Sequence, residues 1–451
     1  MAFDQLSERS KPVSIRILGA SALAGLAIMA AAAPARAQIG LPGGLPPALP
    51  GRPGLPDRPP LDPGRLGDAV GERLGRTLQA PSRLRGLVRR SNGALEADPH
   101  GWPVVRAEIV AVDPSAAGRR AALDAGFTVL REERLEELGL AVMVLAPPRG
   151  LSLGRAVERL RRLDPDGLWE FNHVYGPAGT VAAASSPAAA GPAPPPSVPP
   201  GLRLGLIDTG VDAGHPALAG AAVRQRGFAG PDRPGAHGTA VASLLAGRAG
   251  AFSGSAPGAA LFVADVYGGS PAGGSSTGVG QALAWMVENN VPVVNVSLVG
   301  PRNALVEAAV RRAGGRGTLV VAAAGNDGPA APPLYPAAYP GVVGVTAVNA
   351  RGRVLPEAAR GPQVDFAAPG ADMAAAGPGG GYVSVRGASF AAPLVAGLLA
   401  RRGGGDPVRR LAAEARDLGA RGPDPVYGHG LVGADLRVDP GAAGARGRLA
   451  R

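Results

Sequence analysis

The chain has 451 residues, 46% of them apolar, which is enough for one large domain and a smaller one, and it contains no cysteine. Disulfides, thiolate nucleophiles and cysteine-ligated metals are therefore excluded. The net charge of +11 is carried by arginines spread along the whole length, and aromatics make up only 4%, so nucleic-acid binding has no support.

Lys11 and Arg16 precede the apolar run ILGASALAGLAIMAAAAP, and Ala-Arg-Ala at 35–37 supplies a small-x-small cut site. Residues 1–37 therefore read as an export signal removed after Ala37, giving a periplasmic or extracellular chain with no stable membrane span afterwards. Residues 38–100 read as a Pro/Gly- and Arg-rich linker region, with a short Arg-rich helical stretch ending near residue 90. From 101 to 176 the pattern becomes β-α-β-β-α-β, the order of a small α+β ferredoxin-like domain. Its first helix is expected between an Asp113 start and a Gly126 stop, and its second carries Ala156, Leu160 and Leu163 on one side. No cluster of catalytic residue types lies in it. Residues 177–200 read as an Ala/Pro linker, open to proteolysis.

From 201 to 438 apolar runs (LRLGLID, AALFVADVY, VPVVNVSL, GTLVVAAAGN, GVVGVTAVNA) alternate with helical stretches. That is the signature of an α/β domain, a parallel sheet with helices on both faces. The Gly/Ala/Arg-rich tail, 439–451, is expected to be disordered.

Ligands of an open parallel sheet bind outside the carboxyl ends of its strands. Asp208 and Asn326 end apolar runs there, while His237 and Ser389 open helices. Pro393 fits the helix that Ser389 opens because it is expected in the first helical turn, which needs no donor from it, and Gly387 permits close backbone approach. Asp-Thr-Gly at 208–210 is also the motif of aspartic peptidases, but that chemistry needs two carboxylates sharing a proton, and the motif occurs once, in an α/β setting. Asp, His and Ser in that order, separated by about 29 and about 152 residues, follow the subtilisin order. The Gly-x-Ser-x-Gly elbow of α/β-hydrolases is missing, since residue 391 is Ala.

Three motifs, LIDTGVDAGHPAL around Asp208, HGTAVASLLAG from His237 and GASFAAPLVAG around Ser389, resemble those of the subtilisin-like (subtilase) serine peptidases. VVNVSLVG, VVAAAGNDGP and ARDLGARGPDPVYGHGLVGA extend the resemblance over about 201–436. The segment before it is similar in layout to the family's propeptide. The resemblance implies a serine endopeptidase with Ser389 as nucleophile, His237 as general base and acid, and Asp208 orienting the imidazole. The Ser389 N–H and the Asn326 amide would form the oxyanion hole. Ser297, Leu298, Val299 and Gly300, with Ala323, Ala324 and Gly325, are expected to bind substrate as extended edges. Val299 stands where relatives usually carry Gly, so slim apolar side chains are expected at the cleaved position.

The expected partners are protein or peptide substrates and the chain's own propeptide as inhibitor. Cleavage is expected near Tyr175 or within the Ala/Pro linker, and the enzyme is expected to be a monomer. No cofactor is needed for the chemistry. Calcium is a common stabiliser in such proteins, but no ligand set stands out from spacing. A different class of function, a catalytically silent subtilase-like binding or adhesion module, is the alternative.

Overall fold

The computed structural model describes residues 80–182 and 198–445. The expected export signal, the first part of the linker region and the last six residues lie outside them. The described part of the linker region is not a linker. Helix α1 (Ser82–Arg90) and strand β1 (Leu95–Ala97) occupy it, and Leu84 and Leu95 are buried because both belong to packed elements.

Strands β2 (Pro103–Val112), β3 (Thr128–Leu135), β4 (Leu140–Ala146) and β5 (Leu168–His173) form an antiparallel sheet in the order β5-β2-β4-β3, with β1 paired to the start of β2. Helices α2 (Ala116–Asp124) and α3 (Leu153–Leu163) connect them, and Ala122, Ala156, Val157 and Leu160 join a core with Ile109, Met143 and Trp169. Two local expectations are corrected. The cap of α2 is Ser115, whose hydroxyl accepts from Gly118 N at 2.9 Å, whereas Asp113 turns to accept from Ala141 N at 2.7 Å. Leu163 is 45% exposed, because the inward face of α3 is used up by Ala156, Val157 and Leu160.

The larger half is built on seven parallel strands in the order β17-β16-β15-β13-β8-β12-β9. In chain order the strands of this half are β8 (Arg203–Asp208), β9 (Val223–Gly227), a small hairpin of β10 (Arg248–Ala249) and β11 (Phe252–Ser253), β12 (Ala260–Asp265), β13 (Val293–Val296), β14 (Leu298–Val299), β15 (Leu319–Ala323), β16 (Val343–Val348), β17 (Phe366–Pro369), β18 (Met373–Ala376) and β19 (Tyr382–Arg386). The short pair β6 (Gly176–Pro177) and β7 (Thr180–Val181) precedes them. Continuous apolar runs make strands buried on both faces, and every residue of β13 and β16 is buried. Helices α4 (Ala236–Ala246), α5 (Ser276–Glu288), α6 (Ala304–Gly315), α7 (Ala388–Arg402) and α8 (Pro407–Glu414) cover the sheet. Small residues along α4 and α7 let these two helices sink almost entirely into the core.

The antiparallel sheet docks through its exposed face and through β5. Val110, Leu138, Leu140 and Val142 share one apolar cluster with Val279, Leu283, Leu305 and Ala309 of α5 and α6. Asn172 Oδ1 accepts from Ser276 Oγ (2.8 Å) and Thr277 N, and Asn303, the cap of α6, donates to Phe171 O at 3.0 Å. The starts of both helices thus meet β5, α5 through a free N–H and a hydroxyl and α6 through the side chain of its cap. The tail also differs from expectation over residues 439–445, which form turns that pack Ala443 and Ala445 against the main core.

Candidate active site

Asp208 ends β8 at the carboxyl edge of the sheet, fully buried. Its carboxylate accepts from His237 Nδ1 at 2.8 and 2.9 Å and from Thr209 N at 2.7 Å. Thr209 Oγ1 accepts from Gly238 N at 2.9 Å, so the turn after β8 also holds the first turn of α4, on which His237 rides. Asp208 thus faces an imidazole and not a second carboxylate, which disposes of the aspartic-peptidase reading. His237 Nε2 is buried and has no hydrogen-bond partner among the described residues. The His237 ring lies 5.3 Å from the ring of Phe390, the neighbour of Ser389.

Ser389 is the second residue of α7 and is fully buried. Its hydroxyl donates to Ser297 O at 3.0 Å, not to His237. The Ser297 hydroxyl in turn donates to Ser389 O at 2.9 Å. This reciprocal pair explains Pro393 and corrects its expected place. Helix α7 begins at Ala388, so Pro393 is its sixth residue, beyond the turn whose donors are free in any case. The carbonyl it deprives of a partner is that of Ser389, four residues back, and Ser297 supplies the missing donor.

The remaining features converge on one peptide unit, that of Ala178. Its carbonyl accepts from Ser389 N at 3.1 Å and from the Asn326 side-chain NH2. Asn326 Oδ1 accepts from Ala388 N at 3.0 Å, which aims the NH2 at Ala178. Gly387 stands alongside at φ +130°. A Cβ there would lie 2.6 Å from Asn326 Nδ2 and 2.9 Å from Ala178 O, so close backbone approach requires glycine.

The expected Ala/Pro linker therefore begins as a strand threaded through the cleft, because its backbone finds partners on both sides. Tyr175 N donates to Gly274 O (2.8 Å), Gly176–Pro177 pair antiparallel with Leu298–Val299, and Ala178 N donates to Ser297 O (3.2 Å). Beyond Ala178, Thr180 and Val181 pair with Arg386 and Val385 of β19. The Tyr175 ring lies over Gly300, where a Cβ would meet it at 2.6 to 2.9 Å, and its hydroxyl donates to Pro301 O at 2.9 Å. Tyr267 donates to Tyr175 O at 2.8 Å. Burial raises both tyrosine hydroxyls well above their ordinary pKa, helped at Tyr267 by the Asp208 charge, so both remain protonated donors.

Of the expected cleft residues, Ser297, Leu298, Val299 and Gly300 meet the threaded segment. Ala323, Ala324 and Gly325 do not pair with it. Ala323 is inside β15 against β16, Ala324 N donates to Val345 O, and Gly325 O accepts from Ala359 N, so this edge is already used within the sheet. Gly274 and Tyr267 were missed: nothing in a Gly/Ser-rich loop announces that its backbone will flank a peptide. Among the described residues no group of three or more His, Asp or Glu is gathered as a metal site, and no helix is long and apolar enough to cross a membrane.

A doubly covered parallel sheet, with an acid–imidazole pair at its carboxyl edge and a serine at the head of its central helix, defines the class as a subtilisin-like α/β protein. Residues 200–404 match the model of the subtilase family. Over 247 residues the chain is 35% identical to the thermostable alkaline protease of Halalkalibacterium halodurans, covering 52% of this chain and 66% of that one. Over the same length it is 34% identical to subtilisin Savinase of Lederbergia lenta, of which 90% is covered. The crystal structure of fervidolysin from Fervidobacterium pennivorans, a keratinolytic enzyme related to subtilisin, superposes with a TM-score of 0.61 at 22% identity, over 74% of this chain and 61% of that one, a likeness of fold. The chain belongs to the subtilase family of serine peptidases.

Proposed function

We infer that this chain is an exported serine endopeptidase, made as a precursor that cuts itself between Ala178 and Gly179. One observation carries the reading. The chain's own Ala178 carbonyl lies between the Ser389 N–H and the Asn326 amide, where the negative charge of a tetrahedral intermediate needs donors. Export rests on the signal-like residues 1–37 alone.

The chemistry uses only side chains of the chain. The Ser389 hydroxyl rotates from Ser297 O toward the unpartnered Nε2 of His237, which takes its proton as the oxygen attacks the Ala178 carbonyl carbon. Asp208 keeps the proton on Nδ1 and stabilises the imidazolium. The C–N bond then breaks, His237 returns the proton to the Gly179 amine, and water hydrolyses the acyl-serine by the same steps in reverse. The segment's own sequence suggests the preference of the mature enzyme, with a small residue before the bond, as at Ala178, and an aromatic three positions earlier, as at Tyr175. Val299 pairs with Gly176, two residues before Ala178, where the segment carries no side chain.

The test is mass spectrometry of wild-type and Ser389→Ala chains made in a protease-free host. Wild type should yield a new N-terminus at Gly179 and Ser389→Ala none. Identical products from both would end the self-cleavage reading. The rest position of the Ser389 hydroxyl on Ser297 O is the one observation that favours a catalytically silent module. A fluorophosphonate probe separates the two, since an enzyme is labelled in the mature wild type and a silent module is not.

A further inference from the structure

Helix α1 lies ahead of the ferredoxin-like sheet, yet it reaches over the cleft. The Arg83 guanidinium donates to both oxygens of Asp327, at 2.8 and 2.7 Å, and its third arm donates to Pro177 O at 2.8 Å. Asp327 immediately follows Asn326 and is 10% exposed, and Pro177 immediately precedes Ala178. One turn of α1 therefore ties the wall that carries the oxyanion donor to the residue before the carbonyl that donor holds. The next residue, Leu84, is buried against Gly176, where a Cβ would come within 2.6 Å of Leu84 Cδ2. The segment in the cleft is thus bounded by β14 on one side, the Gly274 loop on the other, and α1 across it.

We propose that Arg83 is a positioning residue for the chain's own cleavage, a latch that holds residues 175–178 in register before the cut and delays their departure after it. The inference rests on the self-cleavage reading for its kinetic part only. A planar fork that satisfies a carboxylate bidentately and still spares a donor for a backbone carbonyl fixes geometry in a way a point charge does not. Arg83 is removed with the prosegment, so the mature enzyme is the same molecule whatever stands at residue 83.

The first measurement needs no cutting. In the uncut Ser389→Ala precursor, adding Arg83→Ala should raise hydrogen exchange at the amides of Tyr175 and Ala178 about tenfold, with the amides of β16 unchanged. Equal protection at 175 and 178 overturns the latch whether or not the chain cuts itself. In the Ser389 chain, refolding is followed by mass spectrometry for the cut and by hydrolysis of a chromogenic peptide for release. Arg83→Ala should cut about tenfold more slowly yet shorten the delay between cut and activity, and Arg83→Lys should recover part of both. A residue that merely stabilised the fold would not move the two rates in opposite directions, so parallel or unchanged rates also overturn it. Should Arg83→Ala fail to fold, Arg83→Met, which keeps the stem, takes its place in both measurements. A wild type that stays uncut counts against self-cleavage alone, and the exchange result still decides the latch.

Discussion

Asn326 turns its amide oxygen to Ala388 N and its NH2 to Ala178 O, so one side chain links the head of α7 to the peptide in the cleft. Removing such a donor costs about 10²–10³ in turnover, a magnitude established on subtilisin itself. Asn326→Ala should slow the cut after Ala178 by that order while the precursor keeps its far-ultraviolet circular dichroism. The check is the single-turnover rate of precursor loss beside the spectrum. Asn326→Asp should not rescue it, since a carboxylate would face a carbonyl with no proton to donate. The Ser297–Ser389 pair makes a second point at this scale. A proline in the second turn of a buried helix is ordinarily a liability, and here the carbonyl it frees is satisfied by a hydroxyl of the cleft wall. The backbone of Ser389 is thereby fastened to Ser297, the residue between β13 and β14.

At the scale of elements, strand pairing accounts for the cleft. β14 offers two residues to β6, and β19 offers two to β7, so the segment adds a strand on each side of the Ala178–Gly179 peptide. Just ahead of the first pairing, Gly300 leaves room for the Tyr175 ring. A methyl at residue 300 would sit 2.6 to 2.9 Å from the Tyr175 ring. Gly300→Ala should therefore slow self-cleavage about tenfold, and Tyr175→Ala in the same chain should restore it, because the two changes exchange the same space. The comparison of the two single variants with the double variant, by precursor half-life, checks this. Independent losses that simply multiply would show that the ring and the glycine are not in contact.

For the whole molecule, the two halves share an apolar cluster too large to be incidental. Leu138, in the turn between β3 and β4, and Leu140 of β4 are buried in one cluster with Leu283 of α5 and Leu305 of α6. Arg312 of α6 donates to Leu138 O (3.1 Å) and Gly139 O (3.0 Å), closing over the same spot. Leu138→Ala should cost the uncut Ser389→Ala precursor about 2–5 kcal/mol, read as a lower urea midpoint. A midpoint unchanged by the substitution would mean that the sheet is only loosely set on α5 and α6.

How much of this was legible beforehand follows from the range of each interaction. Periodicity is local, so the β-α-β-β-α-β order, the parallel α/β half and the strand end bearing Asp208 could be read from consecutive residues, whereas Asn326 lies three residues past the end of β15. Motif spacing marked His237 and Ser389. Three things lay beyond that reach. A proline and an alanine at 177 and 178 look like linker until β14, Ser297, Ser389 N and the Asn326 amide supply partners for their backbone. Arg83 looks like one arginine among many until Asp327, 244 residues away, takes two of its hydrogen bonds. The edge at 323–325, promising in sequence, is taken by β16 at Ala323 and Ala324 and by Ala359 at Gly325. Consecutive residues carried most of the elements, the family and the chemical types at the site, because those depend on side-chain identity and short-range order, but not β1, β6 or β7. Which backbone enters the cleft, and what holds it there, was decided only by the tertiary structure, because a hydrogen bond across hundreds of residues leaves no trace in the residues on either side of it.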